Sequence, residues 1–250
     1  MAEIRLYQFP SSHFNEKVRW ALDLKRVPHE RVSLMPGPHL RTVRKLTGGT
    51  AVPVLVVDGR AIPESADIID HLERTFPDPP LYPADPTERE RALAIQREFD
   101  REVGPAVRLA KFFELMSAAY ATRVFCSEQP AHKRALYRAT FPLVAALMKR
   151  RMAITPENAA RARERTREAL DFVAKEAGPG GPLVGGRFGV ADLACASLLM
   201  PAVELADVGG PACEPSGEKV EAWYAQWRDH PGAAWVRGIY GGWRLPSGAA

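Results

Sequence analysis

The chain has 250 residues, 46% of them hydrophobic and 26% charged, an ordinary globular composition long enough for one large domain or two small ones. Its 34 Lys and Arg against 30 Asp and Glu leave a formal charge of +4, which permits weak attraction to anions. Without a concentrated basic stripe, it does not point to nucleic-acid binding.

The amino terminus reads as a strand over Ile4 to Phe9, with no apolar signal core before it. Phe14, Val18, Ala21 and Leu22 recur at helical spacing and predict a helix to about Lys25. Glu30 to Leu34 is a weaker second strand, and Leu40 to Leu46 a short helix before Gly48-Gly49. Val54 to Val57 is a buried strand by its β-branched and aliphatic run, with Pro53 at its opening where a missing N–H is tolerated. Asp58-Gly59 turns the chain into another strand. Ser65 then starts a helix whose Ile68, Ile69, Leu72 and Phe76 form one apolar face.

Residues 77–86 carry five prolines in ten positions. Proline removes donors and disfavours helix in the residue before it, so this is a stiff linker. Beyond it nearly everything reads as helix: 88–103, a run through Leu109, Phe112 and Met116, 133–152, 157–177, 190–206, 219–228 and 233–240. Gly104-Pro105 is expected to break or kink the first of these, Pro142 to kink the third, and 178–181 to stop the fourth. The most apolar stretch, 190–206, is interrupted by Asp192, Pro201 and Glu204 and is too polar to span a bilayer. The basic clusters at 149–151 and 161–167 read as solvated helix surface. The tail after Arg244 reads as frayed. Cys126, Cys195 and Cys213 are far apart and fall into no CxxC or Cys/His ligand spacing, so neither a disulfide framework nor a metal site is expected.

The strand–turn–strand–helix around Val52-Pro53 and Glu64-Ser65 resembles the glutathione-binding motif of the cytosolic glutathione transferases. The order β-α-β-α-β-β-α, the proline-rich linker with Leu81-Tyr82-Pro83, and the helical remainder extend the resemblance over nearly the whole chain. A second motif, Leu183 to Asp192, resembles the family's capping box and hydrophobic staple, with Asp192 reaching back to the Gly189 N–H and Phe188 packing on Leu193. Gly189 stands where that box usually has Ser or Thr. The resemblance implies a thioredoxin-like domain over residues 1–80, a linker at 77–86 and an all-helical domain over 87–250. It also implies a homodimer.

The same resemblance implies where the peptide binds. Pro53 is cis in the family, and Val52 then presents its backbone to the cysteinyl part of glutathione. Glu64 accepts from the γ-glutamyl ammonium, while Ser65 and the helix-start N–H groups hold its carboxylate. Taken alone, Ser65 also fits a plain N-cap and Pro53 an ordinary strand-edge proline. The thiol of glutathione must be held as thiolate to react, so its hydrogen-bond donor belongs between the first strand and first helix. Counting back from Lys17-Val18-Arg19, the catalytic serine of the zeta- and theta-like classes falls on Ser12, with Ser11 the competitor one residue away and plain helix capping the alternative. Ser12 and Asn15 occupy the two positions of thioredoxin's CxxC, so no thiol remains for disulfide chemistry. Asn15 is a candidate partner near the thiol, and His13 a candidate base or simply a surface residue. His39 is placed against the glycine carboxylate of glutathione, with Arg41 and Lys45 as alternatives. Thr47-Gly48-Gly49-Thr50-Ala51 replaces the family's usual segment before Val-Pro and removes a common glutathione contact. Val107, Lys111, Phe112 and Tyr120 are candidate lining for an electrophile.

The implied activity is conjugation of glutathione to a small apolar electrophile in the cytoplasm, with no membrane or nucleic-acid partner. Glutathione-dependent isomerisation, dehalogenation or peroxide reduction are alternatives on the same fold. A non-catalytic binding module is another.

Overall fold

The computed structural model describes residues 3–177, 181–205 and 217–244. Four strands form one sheet in the order β2-β1-β3-β4: β1 (Ile4–Gln8), β2 (Glu30–Ser33), β3 (Val54–Val57) and β4 (Arg60–Pro63). β1 and β2 are parallel; β1–β3 and β3–β4 are antiparallel. Helices α1 (His13–Leu24), α2 (His39–Thr47) and α3 (Ser65–Thr75) connect and follow the strands, and α1 and α3 pack together. Leu6, Val54, Leu55, Val18, Ile68 and Leu72 are sealed from solvent between them. This is the thioredoxin-like arrangement, followed by helices only.

A continuous helical run follows, α4 (Pro86–Glu98), wider π turns over Phe99–Val103, and α5 (Gly104–Leu115). The run does not stop at Gly104-Pro105, and the break or kink expected there takes the form of π turns over the five residues just before it. Pro105 falls in the first turn of α5, where an N–H has no obligatory partner, and the π turns before it absorb the change of register. Gly104 leaves room there for Phe14, whose ring lies 2.7 Å from where a Cβ would stand. A short helix that the periodicity did not separate, α6 (Ala118–Phe125), precedes α7 (Ala131–Arg151), which keeps Pro142 inside it. Then come α8 (Pro156–Glu176), α9 (Val190–Leu199), α10 (Glu218–Ala225) and α11 (Pro231–Trp243). The glycine-rich stop at 178–180, Ala206, Cys213 and the tail beyond Arg244 lie outside the described residues.

All ten residues of α9 are buried, and it packs on both α1 and α4. It ends ten residues in, because Pro201 admits only a 3₁₀ turn, Met200–Ala202, before the chain leaves the helix. Asp192 accepts from the backbone N–H of Gly189 at 2.9 Å and of Leu183 at 2.7 Å. Leu81 in the proline-rich segment accepts from the Val190 N–H at 2.8 Å, and a Cβ on Gly189 would stand 2.9 Å from that same carbonyl oxygen. The absent Ser or Thr cap thus has a steric cause. On the other side, Glu73 accepts from the N–H groups of Leu81 and Tyr82, and Lys25 donates to the carbonyls of Phe76 and Pro79. The 76–82 segment is gripped by α1 and α3 on one side and by α9 on the other. Phe188 stacks between Trp20 of α1 and Trp243 of α11, with ring centroids 5.4 and 5.2 Å away.

Candidate active site

Strand register brings the candidate residues together. Tyr7 pairs with Val54, Val54 with Pro63, and Gln8 with Ser33. The segments after β1, after β2, before β3 and after β4 therefore meet at one end of the sheet. They hold Ser12, His39, Val52-Pro53 and Glu64-Ser65. The Val52–Pro53 peptide bond is cis.

Ser12 takes the N-cap position of α1 with φ −79° and ψ 129°. Its carbonyl accepts the first intrahelical bond, from Glu16 N–H at 2.8 Å, so the N–H groups of His13, Phe14 and Asn15 have no acceptor inside the helix. The Ser12 hydroxyl makes no capping hydrogen bond, so capping does not account for it. Ser11 Oγ is sealed and has no partner. Asn15 is completely buried, and neither atom of its amide is partnered.

His13 is not a surface residue. It is buried at the start of α1, and its Nε2–H donates to the carbonyl of Gly104 at 3.0 Å. Burial, with Arg108 nearby, pushes its pKa down to about 3, so the imidazole is neutral at physiological pH. His39 opens α2. Its Nδ1 accepts from the Gly37 N–H at 3.1 Å and its Nε2–H donates to Thr50 at 3.2 Å. Burial, with a contribution from Arg151, lowers its pKa as well. His39 is thus a neutral brace with both nitrogens engaged by backbone. Glu64, exposed, precedes α3 at φ 62° and ψ 130°, a sparsely populated region for a non-glycine residue that costs about 1–3 kcal/mol and tends to mark functional sites. Ser65 is the first helical residue, one beyond the cap, and is buried.

A cavity of about 280 Å³ opens against this end of the sheet. Phe9, Ser11, Ser12, His13, His39 and Val52 line one side. The other side comes from α5, α6 and α7: Arg108, Lys111, Phe112, Tyr120, Val144, Leu147, Met148 and Arg151. Lys111, Phe112 and Tyr120 stand where the sequence suggested, whereas Val107 is core. Pro53, Glu64 and Ser65 are not among the lining. Arg108, Lys111 and Arg151 bring three cations, and no carboxylate lines the cavity among the described residues. Lys111 donates to the Tyr224 hydroxyl at 2.9 Å. Arg108 lies over the Phe14 ring, 5.9 Å from its centroid, and its Nε is sealed without a partner. Burial alone lowers its pKa, with no carboxylate beside it to restore it. Sequence reasoning passed over Arg108; its signal was a lone charge within Ala106-Val107-Arg108-Leu109-Ala110.

Family models of the glutathione S-transferase N-terminal domain and C-terminal domain match residues 6–80 and 156–228. The chain belongs to the glutathione S-transferase family. A probable maleylacetoacetate isomerase of Caenorhabditis elegans is 41% identical over 92 residues, 36% of this chain and 43% of that protein. A maleylpyruvate isomerase of a Ralstonia species is 36% identical over 95 residues, 37% of this chain and 45% of that protein. The chain thus matches less than half the length of these curated relatives. The structure of a glutathione S-transferase from Methylobacterium radiotolerans, in complex with glutathione sulfonate, shares the fold at a TM-score of 0.59. It is 24% identical, and the match covers 93% of each chain.

Proposed function

We propose that this chain is a glutathione-dependent isomerase of a small unsaturated acid. The observation that carries the reading is Arg108, a guanidinium with a sealed, unpartnered Nε in a cavity that holds Ser12 and no carboxylate. The relatives named as maleylacetoacetate and maleylpyruvate isomerases support it, because maleyl compounds carry a carboxylate beside a cis double bond. They favour isomerisation over the conjugation expected from the sequence. Conjugation stays as the second reading on one observation, the apolar share of the lining in Phe9, Phe112, Phe125, Leu147, Met148 and Met200.

The residues present fit glutathione. The N–H groups at the start of α1 have no acceptor inside the helix, and Ser11 and Ser12 beside them line the cavity. Bound glutathione supplies a thiolate that adds to an activated double bond and leaves again, so the bond isomerises with no net consumption of the peptide. The Ser12 hydroxyl would donate a hydrogen bond to the sulfur and keep its proton, and the N-terminus of α1 would add its positive potential. The Val52 backbone would face the cysteinyl unit, and Glu64 and Ser65 would hold the γ-glutamyl end. His39 shapes the pocket as a neutral ring, and Arg151 beside it would take the glycine carboxylate. Arg108 pairs with the carboxylate of the acid and steadies the negative charge that builds on the carbonyl conjugated to its double bond. Residues 1–80 and 87–250 act as two domains joined by the 77–86 linker, in a homodimer.

The test compares two substrates. Arg108→Met should raise KM for a maleyl-type acid at least tenfold while leaving conjugation of a neutral aryl halide within twofold. Equal loss on both substrates, or no glutathione-dependent isomerisation by the parent chain, refutes the reading.

A further inference from the structure

One of the two longest helices, α7, has an exposed apolar face that the cavity touches only at Leu147. Across the 21 residues of α7, only Tyr137 and Phe141 are buried, and they face α6. Leu136, Leu143 and Leu147 are 65%, 77% and 46% exposed. Their spacing puts them in one stripe, roughly 110° around the helix from the buried side. The stripe runs about 16 Å at the 1.5 Å rise of a helix. Basic residues stand at both of its ends, Lys133 with Arg134 and Lys149 with Arg150.

The charge is one-sided. α7 carries six Lys and Arg and no Asp or Glu, so without it the formal charge of +4 would become −2. All six are exposed, and none is paired with a carboxylate among the described residues. Elsewhere Arg5, Arg74, Arg91, Arg163, Arg165 and Arg228 pair with carboxylates, whereas α7 supplies no carboxylate of its own. Unpaired cations around an exposed apolar stripe are the pattern of a helix that lies on a membrane surface.

We propose that α7 docks on an anionic lipid surface, with Leu136 and Leu143 entering the headgroup layer and Lys133 and Arg150, which flank the stripe within about 60° around the helix, meeting lipid phosphates. A second copy of this face would set six cations against six. A lipid surface yields to a convex ridge, whereas a protein partner would have to supply a groove. No described helix is long and apolar enough to cross a membrane, so the contact is peripheral. Leu147 and Arg151 also line the cavity, so docking brings the cavity mouth to the lipid boundary.

The test is sedimentation of the full chain with vesicles of phosphatidylcholine, alone or with about a third phosphatidylserine. The expected result is binding to the anionic vesicles only, weakened at least tenfold when salt rises from about 50 mM to about 500 mM. Leu136→Glu with Leu143→Glu, and separately Lys133→Glu with Arg150→Glu, should each weaken it at least tenfold. These positions are exposed, and an unchanged circular dichroism spectrum confirms the fold. Absence of binding to anionic vesicles at low salt overturns the proposal, as does binding that survives the leucine substitutions. Capture on polyglutamate beads without vesicle binding assigns the face to an acidic protein and overturns it too.

Discussion

Asp192→Ala removes the acceptor that organises the start of α9. The side chain is fully buried and receives two backbone N–H groups, from Leu183 and Gly189. Alanine leaves both unpaired inside the protein, where each orphan costs about 1–3 kcal/mol. A loss of about 4 kcal/mol near neutral pH follows, or roughly 8–16 °C in Tm for a chain of this size. The loss depends on pH in a defined direction. Burial pushes the Asp192 pKa up from 3.8 to about 6, against the two backbone hydrogen bonds. Between those values the folded state keeps a proton that the unfolded state has shed, so the parent chain loses stability as pH rises from about 4 to about 6. That window is worth about 3 kcal/mol. The alanine variant lacks it, so its deficit should be about 3 kcal/mol larger near pH 4 than near pH 7. Urea unfolding of both proteins at several pH values, followed by circular dichroism, gives the difference directly. A deficit below 1 kcal/mol at neutral pH, or one that is flat or grows with pH, refutes the reasoning.

His13 should act in the opposite sense. Its folded pKa near 3 lies below the unfolded value of 6.5, so its contribution is full above pH 6.5 and is lost as pH falls toward 3, by up to about 5 kcal/mol. His13→Gln, which keeps an N–H for Gly104, should therefore shift acid unfolding to lower pH, and an unchanged acid midpoint counts against the burial argument. The two slopes offset each other between about pH 4 and 6, so each shows cleanly only in its own variant. Gly189→Ser restores the family's usual cap residue and by capping alone should be neutral or slightly stabilising. The Leu81 carbonyl 2.9 Å from the new Cβ should instead make it destabilising by about 1–3 kcal/mol, measured as a fall in the urea midpoint.

The sheet and most helices were legible because local signals agreed: β-branched runs for the strands, i, i+3, i+4 apolar spacing for the helices. Register then did what no single segment announces, bringing residues 9–12, 52–53 and 64–65 to one end of the sheet. Gly104-Pro105 marks an irregularity but not its form, because a proline in the first turn of a new helix looks the same in sequence as one that ends an old helix. The π turns that decide between them carry no local pattern. α6 was missed because eight residues are too few for a clear period. The surface reading of His13 fails because its burial depends on the carbonyl of Gly104, far along the chain, and the bond from His39 to Thr50 likewise has no local signal. Arg108 stands out in sequence only as a lone charge in an apolar run, because the absence of a carboxylate around it in space has no trace in sequence. The basic 149–151 cluster was read as solvated surface, and only the exposed leucines beside it on α7 give it a direction.

The central claim is that Ser12 and the start of α1 hold the sulfur of glutathione as a thiolate. The most direct measurement is an ultraviolet titration of the thiolate in the complex, for the parent chain and for Ser12→Ala. A free thiol of this kind ionises near pH 8.5. In the parent chain the bound thiol should ionise at least one unit lower. Ser12→Ala should return about one to two units of that shift, the equivalent of a hydroxyl bond of about 1.5–3 kcal/mol to a charged acceptor. No glutathione binding at millimolar concentration, or an identical thiol pKa in Ser12→Ala and a lowered effect only in Ser11→Ala, contradicts it.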